Sequence, residues 1–176
     1  MPEPGKLERF EQTVLPHLNA AHNLARWLMR NDGDAEDLVQ ESYLRAFRFF
    51  EGFQGGDGRA WLLAIVRNTC RTAIQQNAGR GVSTEFEEEK HSAGDSIPSP
   101  EHELLRQADI ASVRACIDRL SNEYREVIVF RELEQLSYKE IAVAAAVPVG
   151  TVMSRLARAR AQLQQCLAMR VKGARA

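Results

Sequence analysis

The sequence is poor in cysteine, and its cysteines form no recognisable motif. Cys70, Cys116 and Cys166 are the three cysteines among 176 residues, and they lie far apart with no Cys-X-X-Cys pair. Disulfide-stapled folds and thiolate metal sites need paired, characteristically spaced cysteines. We therefore predict neither a disulfide framework nor a metal site, and we interpret the three as small helix residues, with redox sensing as the alternative.

Long apolar runs are missing as well. The first ten residues are polar and contain Pro2, Pro4 and Gly5, so they lack the apolar core of a signal peptide, and no later run is long enough for a membrane span. We expect a cytoplasmic protein without membrane insertion. Only 7% of the residues are aromatic, and the abundant Ala, Leu, Glu, Arg and Gln favour helix, so the composition predicts an all-α fold.

Catalytic motifs are not apparent. The sequence has no Gly-rich phosphate loop and no Ser-His-Asp order, and its four histidines are scattered at His17, His22, His91 and His102. We expect no enzyme activity, no cofactor and no metal.

Helical periodicity lapses between residues 79 and 105. Glycines, prolines and an acidic run of Glu85, Glu87, Glu88 and Glu89 replace it there. This pattern is typical of a linker. We predict two small helical domains, residues 1–78 and 106–176, joined by a flexible acidic linker at 79–105.

Acidic residues are also missing from the end of the chain. None follows Glu140, although the net charge of the whole chain is only −1. The cationic residues of this segment are Arg155, Arg158, Arg160, Arg170, Lys172 and Arg175. A local basic excess is typical of an element that faces phosphates, and a solvated basic tail is the alternative.

Three helices are predicted in the first domain. Apolar residues from Phe10 to Leu28 recur at steps of three and four, which predicts one helix ending near residues 31–33. Asp34 is the expected cap of the second helix, whose apolar side includes Leu44 and Phe47. A third helix is predicted from about Arg59 to Gln76.

The second helix carries a cluster of acidic and amide side chains beside apolar ones. The candidates for a protein-docking surface are Asp34, Asp37, Leu38, Gln40 and Glu41. A solvated helix face is the alternative. A metal site is disfavoured because oxygen ligands are usually gathered by a bent loop rather than a straight helix.

A helix-turn-helix is predicted in the second domain. Ser137 and Glu140 have capping-box spacing and fix one helix start. Pro148 ends that helix, Gly150 permits a tight turn, and a second helix follows. Its inward residues are Val152, Leu156, Ala159 and Leu163.

The second helix of this motif has the side chains that read DNA. Its outward candidates are Val149, Gly150, Thr151, Met153, Ser154, Arg155 and Arg158. Arg can bridge two acceptors of guanine in the major groove, and Ser can donate or accept. A generic helical corner with solvated arginines is the alternative.

The third helix combines cationic and amide side chains with an aromatic residue. Arg59, Arg67, Asn68 and Arg71 can hold unpaired bases by hydrogen bonds and stacking. We interpret the neighbouring Trp61 as a core residue.

Taken together, these blocks resemble the extracytoplasmic-function (ECF) sigma factors of the sigma-70 family. The likeness is carried by residues 34–43, by Trp61 and Leu62 with Asn68, and by residues 136–142 and 147–152, in the family's order over about residues 7 to 167. It implies a factor that directs core RNA polymerase to promoters and assists strand opening.

The resemblance also implies partners and roles. The acidic helix would dock on the clamp helices of the largest polymerase subunit, the loop at 52–58 and the helix bearing Asn68 would engage the minus 10 element, and the helix-turn-helix would read the minus 35 element. An anti-sigma factor is an expected further partner. Met153 departs from the family, many of whose members carry Lys or Arg in this helix.

Two other classes of protein remain open. A LuxR-type regulator has a similar helix-turn-helix, and it would bind duplex DNA as a dimer without contacting polymerase. A helical enzyme or metal protein is disfavoured by the missing ligands.

Overall fold

The computed structural model describes residues 5–81 and 100–175, with side chains of the second range described from Gln107 onward. Within these ranges every regular element is helical, which confirms the all-α prediction. The α-helices are α1 (Lys6–Val14), α2 (Leu18–Met29), α3 (Asp32–Phe49), α4 (Gly58–Gly79), α5 (Pro100–Asp118), α6 (Asn122–Ile128), α7 (Tyr138–Ala145) and α8 (Val149–Ala174).

The first predicted helix is two helices in the structure. A 3-10 turn at Leu15–His17 separates α1 from α2, with Pro16 inside it. Proline has no backbone N–H, and its ring collides with the carbonyl four residues earlier, so a straight α-helix cannot continue through it. Phe10 and Val14 of α1 and Leu24 of α2 still point into the same core.

The cap of α3 was assigned to the wrong residue. Asn31, not Asp34, caps the helix, because its side-chain oxygen accepts from the backbone N–H of Asp34 at 3.1 Å. Just before it, Arg30 adopts a left-handed conformation with φ 59°, which ends α2 and reverses the chain. The capping rule was sound, but the chain reverses three residues earlier than predicted.

The start of α4 lies directly against α1. Asp57 caps it by accepting from the amides of Arg59 and Ala60. A Cβ atom on Gly58 would stand 2.7 Å from the side chain and 2.8 Å from the carbonyl oxygen of Thr13. Only glycine fits this contact without a backbone shift.

The beginning of the second unit is organised around a buried arginine. Ser121 caps α6, and Arg125 lies in the first turn of that helix. The Arg125 guanidinium donates to the carbonyls of Asp118 at 2.8 Å and Leu120 at 2.9 Å. These carbonyls lie at the end of α5 and in the turn after it, where no following helical N–H is available to them.

The helix-turn-helix is confirmed, with one correction. The capping box of Ser137 and Glu140 is present at the start of α7. The turn, however, uses Ala146 in the left-handed region with φ 53°, whereas Gly150 lies inside α8. The inward residues of α8 are as predicted, with Val152, Leu156 and Ala159 buried and Leu163 packed against the core.

The prediction that the chain has no disulfide was wrong. Cys116 on α5 and Cys166 on α8 are bonded, with their Cα atoms 5.8 Å apart. The two cysteines are 50 positions apart in sequence, so their pairing becomes evident only when the fold brings α5 beside α8. Cys70 is a buried helix residue, as interpreted, and burial raises the pKa of its thiol to about 12.

The two units share one continuous core. Buried side chains of α1 to α4 and of α5 to α8 belong to a single apolar cluster. α4 runs to Gly79 and α5 begins at Pro100, while the acidic run of the predicted linker lies outside the described residues. The exact domain boundaries stay a prediction.

Within the described ranges, no single helix is long and apolar enough to cross a membrane. Only α7 and α8 taken together, bent by 99° at their junction, reach that length and hydropathy.

The disulfide generates a stability prediction. The bond closes a loop of 50 residues in the unfolded chain. In the chain-entropy description of disulfides, a loop of this length stabilises the folded state by about 4 kcal/mol. Adding dithiothreitol should therefore lower the urea midpoint of the wild type to that of Cys116→Ser. The variant itself should not respond to the reductant. Equal midpoints for the oxidised wild type and the variant would show that the bond adds no stability.

Candidate nucleic-acid and polymerase interfaces

The start of α8 presents an exposed surface. Met153, Ser154 and Arg158 are exposed there, and Thr151 is half-buried. Val149 and Gly150, at the tip of the helix, are also exposed. Three buried residues on the opposite face, Val152, Leu156 and Ala159, fix which side of α8 points outward.

Arg155 does not face outward, contrary to our expectation. Its guanidinium turns back toward α6, where it lies 3.4 Å from the carboxylate of Glu123 and 4.0 Å from that of Glu126. Its side chain is 18% exposed. Helical periodicity places Arg155 near the edge of the buried face, so the acidic residues of α6 decide its direction.

Arg158 keeps the chemistry of a base-reading residue. It is exposed one turn after Ser154. A guanidinium in this position can bridge O6 and N7 of guanine once the helix enters the major groove. Further along α8, Arg160 is already paired with Glu132 at 2.6 Å, so its guanidinium is less available to bind DNA.

The cationic residues of α4 do not form one open surface. Arg67 is buried, and its Nε and Nη2 atoms donate to the two carboxylate oxygens of Glu126, each at 2.8 Å. Arg59 donates to the Glu134 carboxylate at 2.8 Å. Both arginines therefore face the C-terminal unit in this structure.

Asn68 and Arg71 are differently placed on α4. Asn68 is exposed, and its side-chain oxygen accepts from Arg67 Nη1 at 3.1 Å. Arg71 is half-buried beside a cleft of about 190 Å³ that Arg67 and Glu126 also line. Of the four predicted residues, Asn68 is the one that solvent reaches most freely.

Aromatic side chains support the loop before α4. Gly55 and Gly56 have φ of +86° and +95°, conformations that favour glycine. Behind them, Phe53 lies 5.1 Å from Trp61, ring centre to ring centre. Trp61 packs against the core, as we interpreted it.

The predicted docking residues lie on α3 with mixed exposure. Asp37, Gln40 and Glu41 are exposed, whereas Asp34 and Leu38 are half-buried. Our placement of Leu44 on the apolar side was wrong, since it is 70% exposed. It lies three and four residues after Glu41 and Gln40, a spacing that sets it on their face and could have revealed it.

Polar contacts join the N-terminal and C-terminal units at the end of α5 and at the starts of α4 and α7. Arg30 donates to the Asp118 carbonyl at the end of α5. Burial alone would raise the pKa of Asp57, but hydrogen bonds with the Glu140 side chain and with the amides of Ala60 and Arg59 hold it below its ordinary value. The cap of α4 thus contacts the capping box of α7.

Across residues 5–81 and 100–175, no group of three or more His, Cys, Asp or Glu side chains is arranged to hold a metal ion.

Family comparisons match both units. The model of Sigma-70 region 2 matches residues 13–80, and that of Sigma-70 region 4 matches residues 110–163. The first match covers the last two residues of α1 and the whole of α2, α3 and α4. The second covers the end of α5, the helix-turn-helix and the first half of α8.

Similar curated proteins extend over nearly the whole chain. The ECF RNA polymerase sigma factor SigE of Mycolicibacterium smegmatis is 33% identical over 94% of this chain, which spans 64% of that protein. The RNA polymerase sigma-H factor of Pseudomonas aeruginosa is 32% identical, covering 93% of this chain and 88% of that protein. The ECF RNA polymerase sigma-E factor of Haemophilus influenzae is 34% identical, covering 92% and 89%.

Solved structures share the fold. The sigma factor RpoE from Bartonella quintana, solved with the anti-sigma factor NepR, aligns with a TM-score of 0.75 at 26% identity over 91% of this chain and 97% of that chain. CnrH, solved with the cytosolic domain of CnrY, aligns with a TM-score of 0.61 at 26% identity over 91% and 88%. With both regions matched in order, this chain belongs to the ECF sigma factors of the sigma-70 family, which act in transcription initiation.

Proposed function

We propose that this chain docks on core RNA polymerase through α3, reads the minus 35 element with α8 and engages the minus 10 element with α4. The exposed first turns of α8 support this most directly, because they carry Arg158 outward from a helix whose other face is buried. Because the proposed partners, core RNA polymerase and promoter DNA, are in the cytoplasm, we expect this activity there.

The docking surface for polymerase is the outer face of α3. Asp37, Gln40 and Glu41 precede the exposed Leu44 on one face of α3, with Asp34 and Leu38 at the edge. An apolar residue beside acidic groups suits a basic helical partner. The family resemblance identifies that partner as the clamp helices of the largest subunit.

The minus 35 element is assigned to the beginning of α8. Residues Val149, Gly150 and Thr151 stand where backbone amides at a helix start can hold a phosphate. Ser154 and Arg158 are then positioned for base edges, whereas Met153 offers only apolar contact, for example with a thymine methyl group. Arg155 would contribute only after leaving Glu123.

The minus 10 element is assigned to α4 and the loop before it. Asn68 is exposed and can hydrogen-bond an extruded base, and Arg71 lies one turn away. Arg59 and Arg67 would contribute after separating from Glu134 and Glu126. Strand opening therefore involves a change in how α4 meets the C-terminal unit.

An anti-sigma factor is the remaining proposed partner. RpoE of Bartonella quintana was solved with one, and this chain shares its fold over nearly the full length of both chains. A protein of the same class would act on this chain by covering its polymerase and DNA surfaces.

Run-off transcription tests polymerase binding and promoter use together. Core polymerase with the wild type should yield new start sites preceded by a shared pair of upstream elements. Asp37→Arg should lose these starts and core binding, because it places a cation on the acidic face of α3. Glu11→Arg makes the same charge change on α1 and should retain both. Unchanged core binding by Asp37→Arg would remove α3 from the proposal.

Arg158→Ala tests base reading by α8. Loss of a bidentate guanine contact should cost about 1 to 3 kcal/mol at one base pair of the upstream element. Binding to a panel of single-base variants would measure this cost. Arg170→Ala, which removes a charge near the end of α8, should keep the same base preference. An equal loss of affinity on every sequence would assign Arg158 to a phosphate.

Asn68→Ala tests strand opening. The variant should form the closed complex normally but show weaker permanganate reactivity of thymines in the minus 10 element, because one base contact is lost. Gln76→Ala, an exposed amide further along α4, serves as the control and should open DNA like the wild type. A wild-type permanganate pattern for Asn68→Ala would contradict the assignment.

A further inference from the structure

Two cysteines from distant positions of the sequence meet within the C-terminal unit. Cys116 of α5 and Cys166 of α8 are bonded, and their Cα atoms lie 5.8 Å apart, inside the range in which a disulfide forms without backbone movement. The two helices can therefore keep their places while the bond forms and breaks. The same fold accommodates both the dithiol and the disulfide.

We propose that this pair is an oxidant-responsive modification site, at which a hydroperoxide converts the two thiols to the disulfide and thereby fastens the end of α8 to α5. The bond protects the end of the recognition helix from local unfolding. The oxidation site goes beyond the proposed function, and only the use of the ordered helix for promoter reading rests on it.

The two sulfur atoms differ in access, and this difference sets the order of the chemistry. Cys166 is half-buried, whereas Cys116 is only 1% exposed. The Cys166 thiolate attacks one oxygen of the hydroperoxide and becomes a sulfenic acid, while the O–O bond breaks and the other oxygen leaves as water or an alcohol. Cys116 then gives up its proton, forms the S–S bond and displaces the sulfenic oxygen as water. Two electrons pass from the two thiols to one peroxide bond.

The charges along α8 favour the reactive form of Cys166. Arg170 follows it by four residues, a spacing that sets both side chains on one face of the helix. No acidic residue follows Glu140 in the sequence, so α8 itself brings no negative charge to this thiol. A nearby cation favours the thiolate, which is the nucleophile in thiol oxidation.

Cys70 serves as an internal reference for this chemistry. It is buried in α4, and burial raises the pKa of its thiol to about 12. The thiol therefore stays protonated near neutral pH and is shielded from solutes. Structural buried cysteines of this kind are inert, so peroxide should leave Cys70 unchanged.

The disulfide lies where apolar burial between α5 and α8 comes to an end. Along α8, Ala159 is the last buried residue, Leu167 is half-buried and Met169 is 70% exposed. Along α5, Val113 is 41% exposed, although it lies only three residues before Cys116. Segments with few buried apolar contacts open locally at a low free-energy cost. The bond therefore holds the two helices together where packing no longer does.

The fastened segment is continuous with the DNA-reading part of α8. The match to Sigma-70 region 4 ends at residue 163, whereas α8 continues to Ala174 and carries Cys166 in this last part. Helix formation is cooperative, so order at the end of one uninterrupted helix supports the turns before it. The turn that carries Arg158 belongs to the same helix.

Peroxide treatment of the reduced full-length chain tests the site. Hydrogen peroxide should produce the bond between Cys116 and Cys166, detected by mass spectrometry of unreduced peptides, while Cys70 stays free for alkylation after denaturation. Thioredoxin, recycled by its reductase, should return the folded chain to the dithiol. Oxidation of Cys166 to sulfinic acid without the bond, or a bond that thioredoxin leaves intact, would overturn the proposal.

Sulfenic-acid trapping tests the order of the two steps. In Cys116→Ser the sulfenic acid on Cys166 has no partner, so peroxide in the presence of dimedone should label this residue. Cys166→Ser should gain at least tenfold less dimedone on Cys116, because that sulfur is buried. Equal labelling in the two variants would overturn the assignment of Cys166 as the first site of attack.

Hydrogen exchange of the wild type in its two redox states measures fastening without any substitution. Amides of residues 164–174 should exchange at least tenfold more slowly in the oxidised chain than in the reduced chain. Cys70→Ala should show the same difference, and Cys166→Ser should show none. Equal exchange in the two states of the wild type would overturn the proposal.

Run-off transcription separates this inference from the proposed function. New starts from both redox states, combined with equal hydrogen exchange, would refute only the inference. No starts from either state would refute the proposed function, and the peroxide and exchange measurements would still decide whether the oxidation site exists.

Discussion

The pair between Arg67 and Glu126 determines how the two halves of the chain meet. Two charges removed from water are tolerated only when they satisfy each other, and here both carboxylate oxygens receive a donor at 2.8 Å. Because the partners lie on α4 and α6, the interface cannot slide without leaving a charge buried alone. The pair therefore fixes the relative placement of α4 and the helices that carry the helix-turn-helix.

The helix-turn-helix depends largely on local interactions that can be predicted from the sequence. Its capping box holds the start of α7, and the left-handed Ala146 ends that helix. Burial of Val152, Leu156 and Ala159 then sets the rotation of α8. The capping box and the apolar repeat act within a few residues, so the start of α7 and the rotation of α8 were predictable, whereas the left-handed Ala146 was not.

The features that sequence reasoning missed arise where distant segments meet or where one residue interrupts a pattern. The disulfide joins residues separated by 50 positions, and only the packing of α5 on α8 reveals it. Arg155 turns inward because α6 places two carboxylates beside it, and helical periodicity does not predict contacts between different helices. Pro16 was visible, but the apolar repeat on both sides of it concealed the break between α1 and α2.

Two restraints hold α8 to the other helices of the C-terminal unit. Near its start, Arg155 pairs with Glu123 of α6, and near its end Cys166 is bonded to Cys116 of α5. Both restraints lie within the C-terminal unit, so separating Arg67 from Glu126 leaves them intact. In the proposed engagement of the minus 10 element, helices α5, α6 and α8 would therefore move together as one body, with the outward face of α8 already set by its buried residues.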